Sequence, residues 1–343
     1  MIILGIDTSC DDTSAALLED GKKILSNVVH SQIKLHHPYG GVVPELASRE
    51  HLKNIMTVVR ESLREAGIKM GAIDGIAVTV GPGLVGSLLI GLYYSKAVAF
   101  VHGIPLMAIN HLEGHILSIF LEDEVPVFPF VALTVSGGHT SLYHVKGYGS
   151  YTLLGQTLDD AAGEAFDKVA KMLGLGYPGG EAIEKLGQNG SADKVNFPRA
   201  YMRKESLDFS FSGLKTAVSL YIKKWRDSKT LSSDVTVADI AASFQEAVVD
   251  VLVTRVMSAR KKVNSPAAVV TGGVACNNRL RAKLMLAATE KDIPVYFPRP
   301  CFCTDNGAMI ALAGYHRFLN GESAPLSMDV RSRFPISDLS PIY

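Results

Sequence analysis

Met1-Ile2-Ile3-Leu4-Gly5-Ile6-Asp7-Thr8-Ser9-Cys10-Asp11-Asp12-Thr13-Ser14 opens the chain with an apolar run that ends on a carboxylate, followed by a turn of hydroxyls and acids. The run predicts a first β-strand ending at Asp7, and Ala15 to Glu19 predict a second strand returning beside it. Asp20-Gly21 supplies the next turn and Lys22–Val29 a third strand, so the chain begins as a β-meander. Pro44 then opens a helix with apolar positions Leu46, Leu52, Ile55, Val59 and Leu63, closed by Gly67. Strand Ile73–Val80, an apolar helix from Leu84 to His102 and strand Pro105–Ile109 complete a βββαβα order.

The same order starts again after Pro126. Strand Phe130–Val135 runs into Ser136-Gly137-Gly138-His139-Thr140, then come strands Ser141–Val145 and Tyr151–Gln156 and helix Asp159–Leu173. Residues 189–235 read as an irregular, partly helical insertion. A long helix from Thr236 to Val263, strand Ala267–Thr271, helix Asn278–Thr289, strand Pro294–Phe297 and helix Asp305–Asn320 close the copy. The halves share element order and no visible sequence identity. The expectation is an α/β fold with a duplicated βββαβα unit, two lobes and a cleft between them. Residues 1–108 form the N-terminal lobe, 109–324 the C-terminal lobe with its insertion, and the tail 325–343 is expected to pack back on the N-terminal lobe. A length of 343 residues gives each lobe ample core.

Charge and cysteine content bound the setting. With 34 basic and 34 acidic residues there is no net attraction for a polyanion, so an RNA would need local patches or partner subunits. Four cysteines are too few for a disulfide scaffold and fit a reducing cytosol. The N-terminus lacks a basic region and a cleavage site, so a cytoplasmic protein is expected. Leu84–His102 is apolar enough to raise the question of a membrane span. It holds Lys96 and two glycines between two strands, which argues for a buried crossover helix and no membrane.

Chemistry concentrates at Asn110-His111-Leu112-Glu113-Gly114-His115. Histidines four apart share one helix face and can share one divalent ion. A third ligand is needed, and Asp305 before the last helix would complete a His₂-carboxylate set suited to Fe(II) or Zn(II). Asp305 also reads as a helix N-cap. Cys301 and Cys303, alternating on an expected strand, are not expected to serve one ion together. The turns at 7–14 and 136–140 occupy corresponding places in the two halves and offer small residues and backbone N–H groups to an anion. Thr271-Gly272-Gly273-Val274-Ala275-Cys276-Asn277-Asn278 lets a ligand approach a helix N-terminus, with Asn277 as a hydrogen-bonding side chain and Asn278 as the expected N-cap.

Gly81-Pro82-Gly83 lacks the lysine of a phosphate-binding Walker loop and reads as a structural turn. Asp160, Glu164 and Asp167 are expected on one helix face, which needs donors or cations nearby. Tyr177-Pro178-Gly179-Gly180 gives a tight loop with room for a ligand at Gly180. The basic clusters at Lys223-Lys224-Trp225-Arg226 and Arg260-Lys261-Lys262 are not dense enough to read as RNA sites.

Taken together, Ile6–Thr13, Gly40–Glu45, His111–His115, Val135–Thr140, Asp160–Lys168, Tyr177–Gly180, Asp208–Thr216, Gly272–Asn277 and Cys303–Ala308 resemble the TsaD family over nearly the whole chain. The likeness is to the bacterial branch, the transferase subunit that makes N6-threonylcarbamoyladenosine in tRNA. The resemblance implies an actin/Hsp70/sugar-kinase-like fold and transfer of the threonylcarbamoyl group from threonylcarbamoyl-AMP to the adenosine next to the anticodon, releasing AMP. It implies one Fe(II) or Zn(II) ion on His111, His115 and Asp305. It also implies a substrate site of Thr134, Val135, Ser136, Gly137, Gly138, Asp167, Gly180, Glu184 and Asn277. Expected partners are threonylcarbamoyl-AMP, tRNA, a TsaB-like paralogue and a TsaE-like ATPase. Asp11 or Asp12 is offered as the group that removes the amine proton. At Asp12 the family usually has glutamate, one methylene longer.

Two other classes compete. A metal-dependent peptidase would carry His-Glu-x-x-His, whereas Glu113 lies about 200° around the helix from His111 at 100° per residue. An ATP-hydrolysing kinase-like protein could share the fold, since fold does not fix chemistry. Paired histidines are a strange fitting for its cleft.

Overall fold

The computed structural model describes residues 1–200, 206–227, 234–340 and 342. Residues 201–205 and 228–233 of the expected insertion therefore lie outside the described residues. β1 (Ile2–Asp7), β2 (Asp12–Glu19) and β3 (Lys23–Ser31) form the antiparallel meander, and β4 (Gly75–Gly81) and β5 (Leu106–Asn110) continue the sheet in parallel from β1. The second sheet repeats this with β6 (Phe130–Val135), β7 (Thr140–Gly147), β8 (Ser150–Gln156), β9 (Ala268–Thr271) and β10 (Val295–Tyr296). Strand orders are β3-β2-β1-β4-β5 and β8-β7-β6-β9-β10. The duplication expected from element order is present in space.

Burial explains the strand sequences. β4, β6 and β9 are buried along their whole length, so they read as continuous apolar runs. Edge strands β3 and β8 mix buried and exposed positions. Helix Pro44–Ala66 begins with proline in its first turn and ends on Gly67 at φ +66°, the left-handed cap that glycine takes without strain.

Helix Val85–His102 crosses between the parallel strands β4 and β5. It was expected to be buried, and that is correct for one face only. Leu88, Leu92 and Ala99 are covered, while Val85, Tyr93, Phe100 and Val101 are exposed. A helix apolar all round gives no periodicity to say which side the sheet will cover.

Helix Gly307–Leu319, assigned by chain order to the second lobe, packs on β1, β2 and β4 of the first. Its residues Met309, Ala311 and Leu312 join Ile3, Ala16, Leu18 and Ala77 in one apolar cluster. The approach is close because Gly5 and Gly307 present bare backbone, and a Cβ on either would collide with the facing main chain. The helix carries Asp305 at its entrance, so the first lobe holds both ends of the site. The tail then runs along the same lobe, with the Arg331 N–H donating to the Val80 carbonyl at 2.7 Å and Phe334 buried among its apolar residues.

In the second lobe, helix Val237–Lys262 starts from a reciprocal cap between Thr236 and Asp239. It carries Glu246 to Arg279 at 2.6 Å and to Lys283. Arg279, despite the opposing effect of burial, and then Lys283 hold the Glu246 carboxyl down at about 2. Because the folded value lies below the unfolded one, this contribution is complete above about pH 4.5 and is lost as pH falls towards 2. Arg279 is half exposed, so solvent screens the pair. A Glu246→Gln variant should therefore lose about 1–2 kcal/mol at pH 7 and little at pH 2, read by denaturant titration across pH.

Candidate active site

β5 ends on Asn110, and the metal-helix candidate His111–Leu117 begins there. The Asn110 side-chain oxygen accepts the N–H groups of Leu112 at 2.9 Å and Glu113 at 3.3 Å, and its amide donates to the Phe334 carbonyl at 2.8 Å. The corner is thus fixed from both sides, as an N-cap should be. His111 and His115 sit one above the other with ring centroids 4.6 Å apart. Asp305 Oδ1 lies 3.1 Å from His115 Nε2 and 3.5 Å from His111 Nε2. Donor atoms of the three residues all fall within 4.8 Å of one another, and no other such group gathers among the described residues. Asn306, not Asp305, caps the following helix by accepting the Met309 N–H at 2.9 Å. That leaves the Asp305 carboxylate to the histidines.

Glu113, the one acid within the histidine pair, is turned away. It pairs with Arg317 through two contacts of 2.8 Å and accepts the Tyr151 hydroxyl at 3.0 Å, fully buried. It is not placed to act as a hydrolytic base.

Charge explains what the cluster fits. Burial disfavours a charged His111, yet the Asp305 and Asp7 carboxylates outweigh it and push the imidazole up to about 10. Burial alone would raise Asp305, and His111 and His115 hold it well below the usual carboxylate range. Further along the first turn, burial and the charges of Asp305 and Asp11 push Asp12 up to about 8. His139 is driven down to about 4 by burial and by the two histidines. Carboxylates are in excess here, and a divalent cation would balance them. Two imidazole nitrogens and one carboxylate oxygen are a donor set for such an ion. His111 Nδ1 lies 3.5 Å from Asp7 Oδ2, the partner that orients a metal-bound imidazole.

The acidic turn is held by a residue that the sequence reading missed. His51, buried on helix Pro44–Ala66, meets Thr13 Oγ1 at 2.7 Å through Nδ1 and the Cys10 carbonyl at 3.0 Å through Nε2. A carbonyl only accepts, so Nε2 carries the proton and Thr13 donates to Nδ1. Both sides of Asp11-Asp12 are clamped by one neutral ring. The signal was present: His51 shares the apolar stripe of Ala47, Ile55 and Val58. His51→Ala leaves the buried Thr13 hydroxyl unpaired and the Cys10 carbonyl with the Ser87 hydroxyl as its side-chain donor, and should cost about 1–3 kcal/mol, measured by urea unfolding.

The other expected residues fall as follows. Thr134 and Val135 end β6, and the buried Thr134 hydroxyl has no partner among the described residues. In the turn, Ser136 Oγ accepts the His139 N–H at 3.2 Å, while Gly137 and Gly138 are exposed with open space above them. Gly272, at φ +93°, lies against the Val135 main chain where a side chain would not fit, which draws the two glycine turns together. Asp167 accepts the Gly179 N–H at 2.7 Å, and burial raises it to about 6. Gly180 faces open space. Tyr177 donates to Asp11 Oδ2 at 3.3 Å, joining a second-lobe loop to the first-lobe turn.

Three expectations change. Helix Ala162–Leu173 starts after Asp160, which pairs instead with Lys168 and Lys215, so the three acids do not share a helix face. Asn277, not Asn278, caps helix Asn278–Thr289, and its amide donates to Gln245 at 2.7 Å. Glu184 accepts the Asn278 N–H at 2.7 Å. Cys301 and Cys303 lie on a helical turn, Pro300–Cys303, where proline at the first position favours a turn over a strand.

A sequence model of the family "tRNA N6-adenosine threonylcarbamoyltransferase", TsaD, matches residues 23–312. The chain belongs to the TsaD family. A protein of that name from Syntrophus aciditrophicus is 53% identical over 336 residues, 98% of each chain. Among solved structures, HypF from T. kodakarensis superposes with a TM-score of 0.61 at 13% identity, over 93% of this chain and 48% of that one. A ROK hexokinase from Thermus thermophilus gives 0.50 at 16% identity, over 94% and 100%. Those two likenesses show the fold alone, and they agree with the sugar-kinase-like architecture implied by the family. Against that background the TsaD motifs map onto both lobes: the acidic turn on the first, the glycine turns on the second, and the histidine helix between them, touching β4 and β5 on one side and β6 and β9 on the other.

Proposed function

We propose that this TsaD chain transfers a threonylcarbamoyl group from threonylcarbamoyl-AMP to N6 of the adenosine beside the anticodon of tRNA, releasing AMP. The observation that carries this most is the convergence of His111, His115 and Asp305 next to a clamped acidic turn, in a chain of this family. In the reaction the N6 nitrogen bonds to the carbamoyl carbon, the bond from that carbon to the phosphate oxygen breaks, and AMP leaves with the electron pair. AMP is a good leaving group, so the protein's work is to position reactants and stabilise charge. The N–H groups of Gly137 and Gly138 and of the Gly272-Gly273 turn would cradle the phosphate. Thr134 offers a buried hydroxyl, Asp167 and Gly180 bound the nucleoside side, and Glu184 and Asn277 hold the turn beneath it. Asp11 or Asp12 would accept the N6 proton. Bound Fe(II) or Zn(II) on His111, His115 and Asp305 would supply Lewis-acid polarisation of the donor.

The partners in this reading are tRNA, a TsaB-like paralogue and a TsaE-like ATPase, in the cytoplasm. A peptidase reading is disfavoured because Glu113 is locked to Arg317, and a kinase reading because Gly81-Pro82-Gly83 meets the tail instead of a phosphate, with the Gly83 N–H donating to Ser332 at 3.3 Å. The test combines the purified protein and its partners with threonylcarbamoyl-AMP and tRNA. Threonylcarbamoyladenosine in the digested tRNA is the expected product, and its absence would sink the proposal.

A further inference from the structure

The second lobe reaches the acidic turn of the first through the Tyr177 hydroxyl on Asp11 Oδ2. Beside that contact the lobes touch twice more. The His37 ring lies against Gly176, with Nε2 3.0 Å from where a Cβ would stand, and Lys171 Nζ donates to the Tyr39 carbonyl at 3.3 Å. His37–Tyr39 is a 3₁₀ turn ahead of helix Pro44–Ala66, and Lys171 stands in the last turn of helix Ala162–Leu173. Helix Ser212–Asp227 packs on Ala162–Leu173, and its Arg226 guanidinium donates to the Met172 carbonyl at 2.8 Å. Three segments distant in sequence thus meet along one line that starts at the acidic turn.

Charge along this line is positive where it is free. Lys168 and Lys215 are matched by Asp160 and Glu164. Lys171, Lys223 and Arg226 are exposed, and among the described residues no carboxylate pairs with any of them. Asp227, exposed as well, is the acid next in sequence to Arg226. Lys223 and Arg226 stand three apart on one helix and so are surface neighbours. Tyr39 is 55% exposed, an aromatic ring left open to solvent beside these cations. By itself Lys223-Lys224-Trp225-Arg226 is a short cluster, and the fold sets it next to Lys171 and a loop of the other lobe.

We propose that His37, Tyr39, Lys171, Lys223 and Arg226 form the surface on which the anticodon loop of the tRNA docks, a placement that rests on the transfer reading above. Single-stranded RNA is held by cations that track its phosphates together with rings on which unpaired bases stack, and this surface offers both. The chain has no net charge to attract a polyanion, so the docking surface must be local, and it must border the turn where N6 reacts. Arg260-Lys261-Lys262 fails the second condition: it leads into the start of β9, at the opposite end of that strand from Gly272. An acidic protein segment would use the cations and leave the Tyr39 ring idle, so RNA is the better fit.

The test measures binding of a fluorescently labelled anticodon stem-loop to the full-length chain, alone and with the partners of the transfer assay, without threonylcarbamoyl-AMP. Lys171→Ala and Arg226→Ala should each weaken binding and lower the slope of log affinity against log salt by about 0.7–0.9, one phosphate contact apiece. Tyr39→Ala should weaken binding about ten-fold, while Tyr39→Phe stays within about two-fold of native, because the ring and not the hydroxyl stacks. Lys261→Ala/Lys262→Ala should bind as the native protein does. In the transfer assay the weakened variants should raise KM for tRNA and leave kcat nearly unchanged, as loss of uniform binding requires. Native affinity in all three alanine variants, or no RNA binding by the native chain in either form, would overturn the proposal. So would poly-glutamate bound as tightly as the stem-loop, which would assign the surface to an acidic protein. Binding is read without any transfer, so failure of the reaction is separable from failure of this inference.

Discussion

A His111→Ala/His115→Ala variant is expected to retain no divalent metal after gel filtration and to lose at least about a hundred-fold in transfer rate. The magnitude follows from Lewis-acid stabilisation worth several kcal/mol, with each 1.36 kcal/mol equal to a factor of ten. The variant should still fold, because the anchors of this helix lie elsewhere: Asn110 caps it and Glu113 ties it to Arg317. Asp305 is the informative companion. Without the imidazoles its carboxylate faces Asp7, Asp11 and Asp12 with nothing to balance it, so Asp305→Asn in the double-alanine background should be neutral or stabilising. Metal content by elemental analysis and modified nucleoside by mass spectrometry decide the matter. Full turnover by the double variant would remove the metal from the reaction.

Much of this architecture was legible because it depends on local pattern. The two βββαβα runs, the turns that follow β1 and β6, and the histidine pair all come from short-range periodicity and turn chemistry, and the strand orders bear out the duplicated runs. The features that were not legible depend on what meets what across the chain. Helix Gly307–Leu319 packs on the first sheet because of bare backbone at Gly5 and Gly307, 302 positions apart by their numbering, which no local window contains. His51 stands on the apolar stripe of its helix, but the groups it joins, Thr13 and Cys10, lie 38 and 41 positions away. Asp160 was misplaced because Lys215, which draws it off the helix, comes from the insertion. Asn277 lost the N-cap role to its neighbour in the sequence reading because the two asparagines are chemically identical, and only backbone conformation separates them.

The strongest stability effect should come from beneath the histidine helix. Arg317 is buried, and its guanidinium meets both oxygens of a Glu113 carboxylate that has no solvent exposure. Arg317→Met keeps most of the volume and leaves that carboxylate with Tyr151 as its remaining neutral donor, against the buried ionic pair it had. Breaking one side of a buried pair costs about 3–5 kcal/mol, whereas replacing both sides by apolar groups can be nearly neutral. Arg317→Met should therefore lower the urea midpoint sharply, and Glu113→Leu/Arg317→Met should recover much of the loss. Glu113 lies between His111 and His115 on one short helix, so the single variant should also weaken metal retention while the double variant restores it. If the single variant instead unfolds at the native midpoint, the pair is not what holds this helix. If both variants keep native stability but release the metal, the acid and arginine act on the histidines' orientation alone.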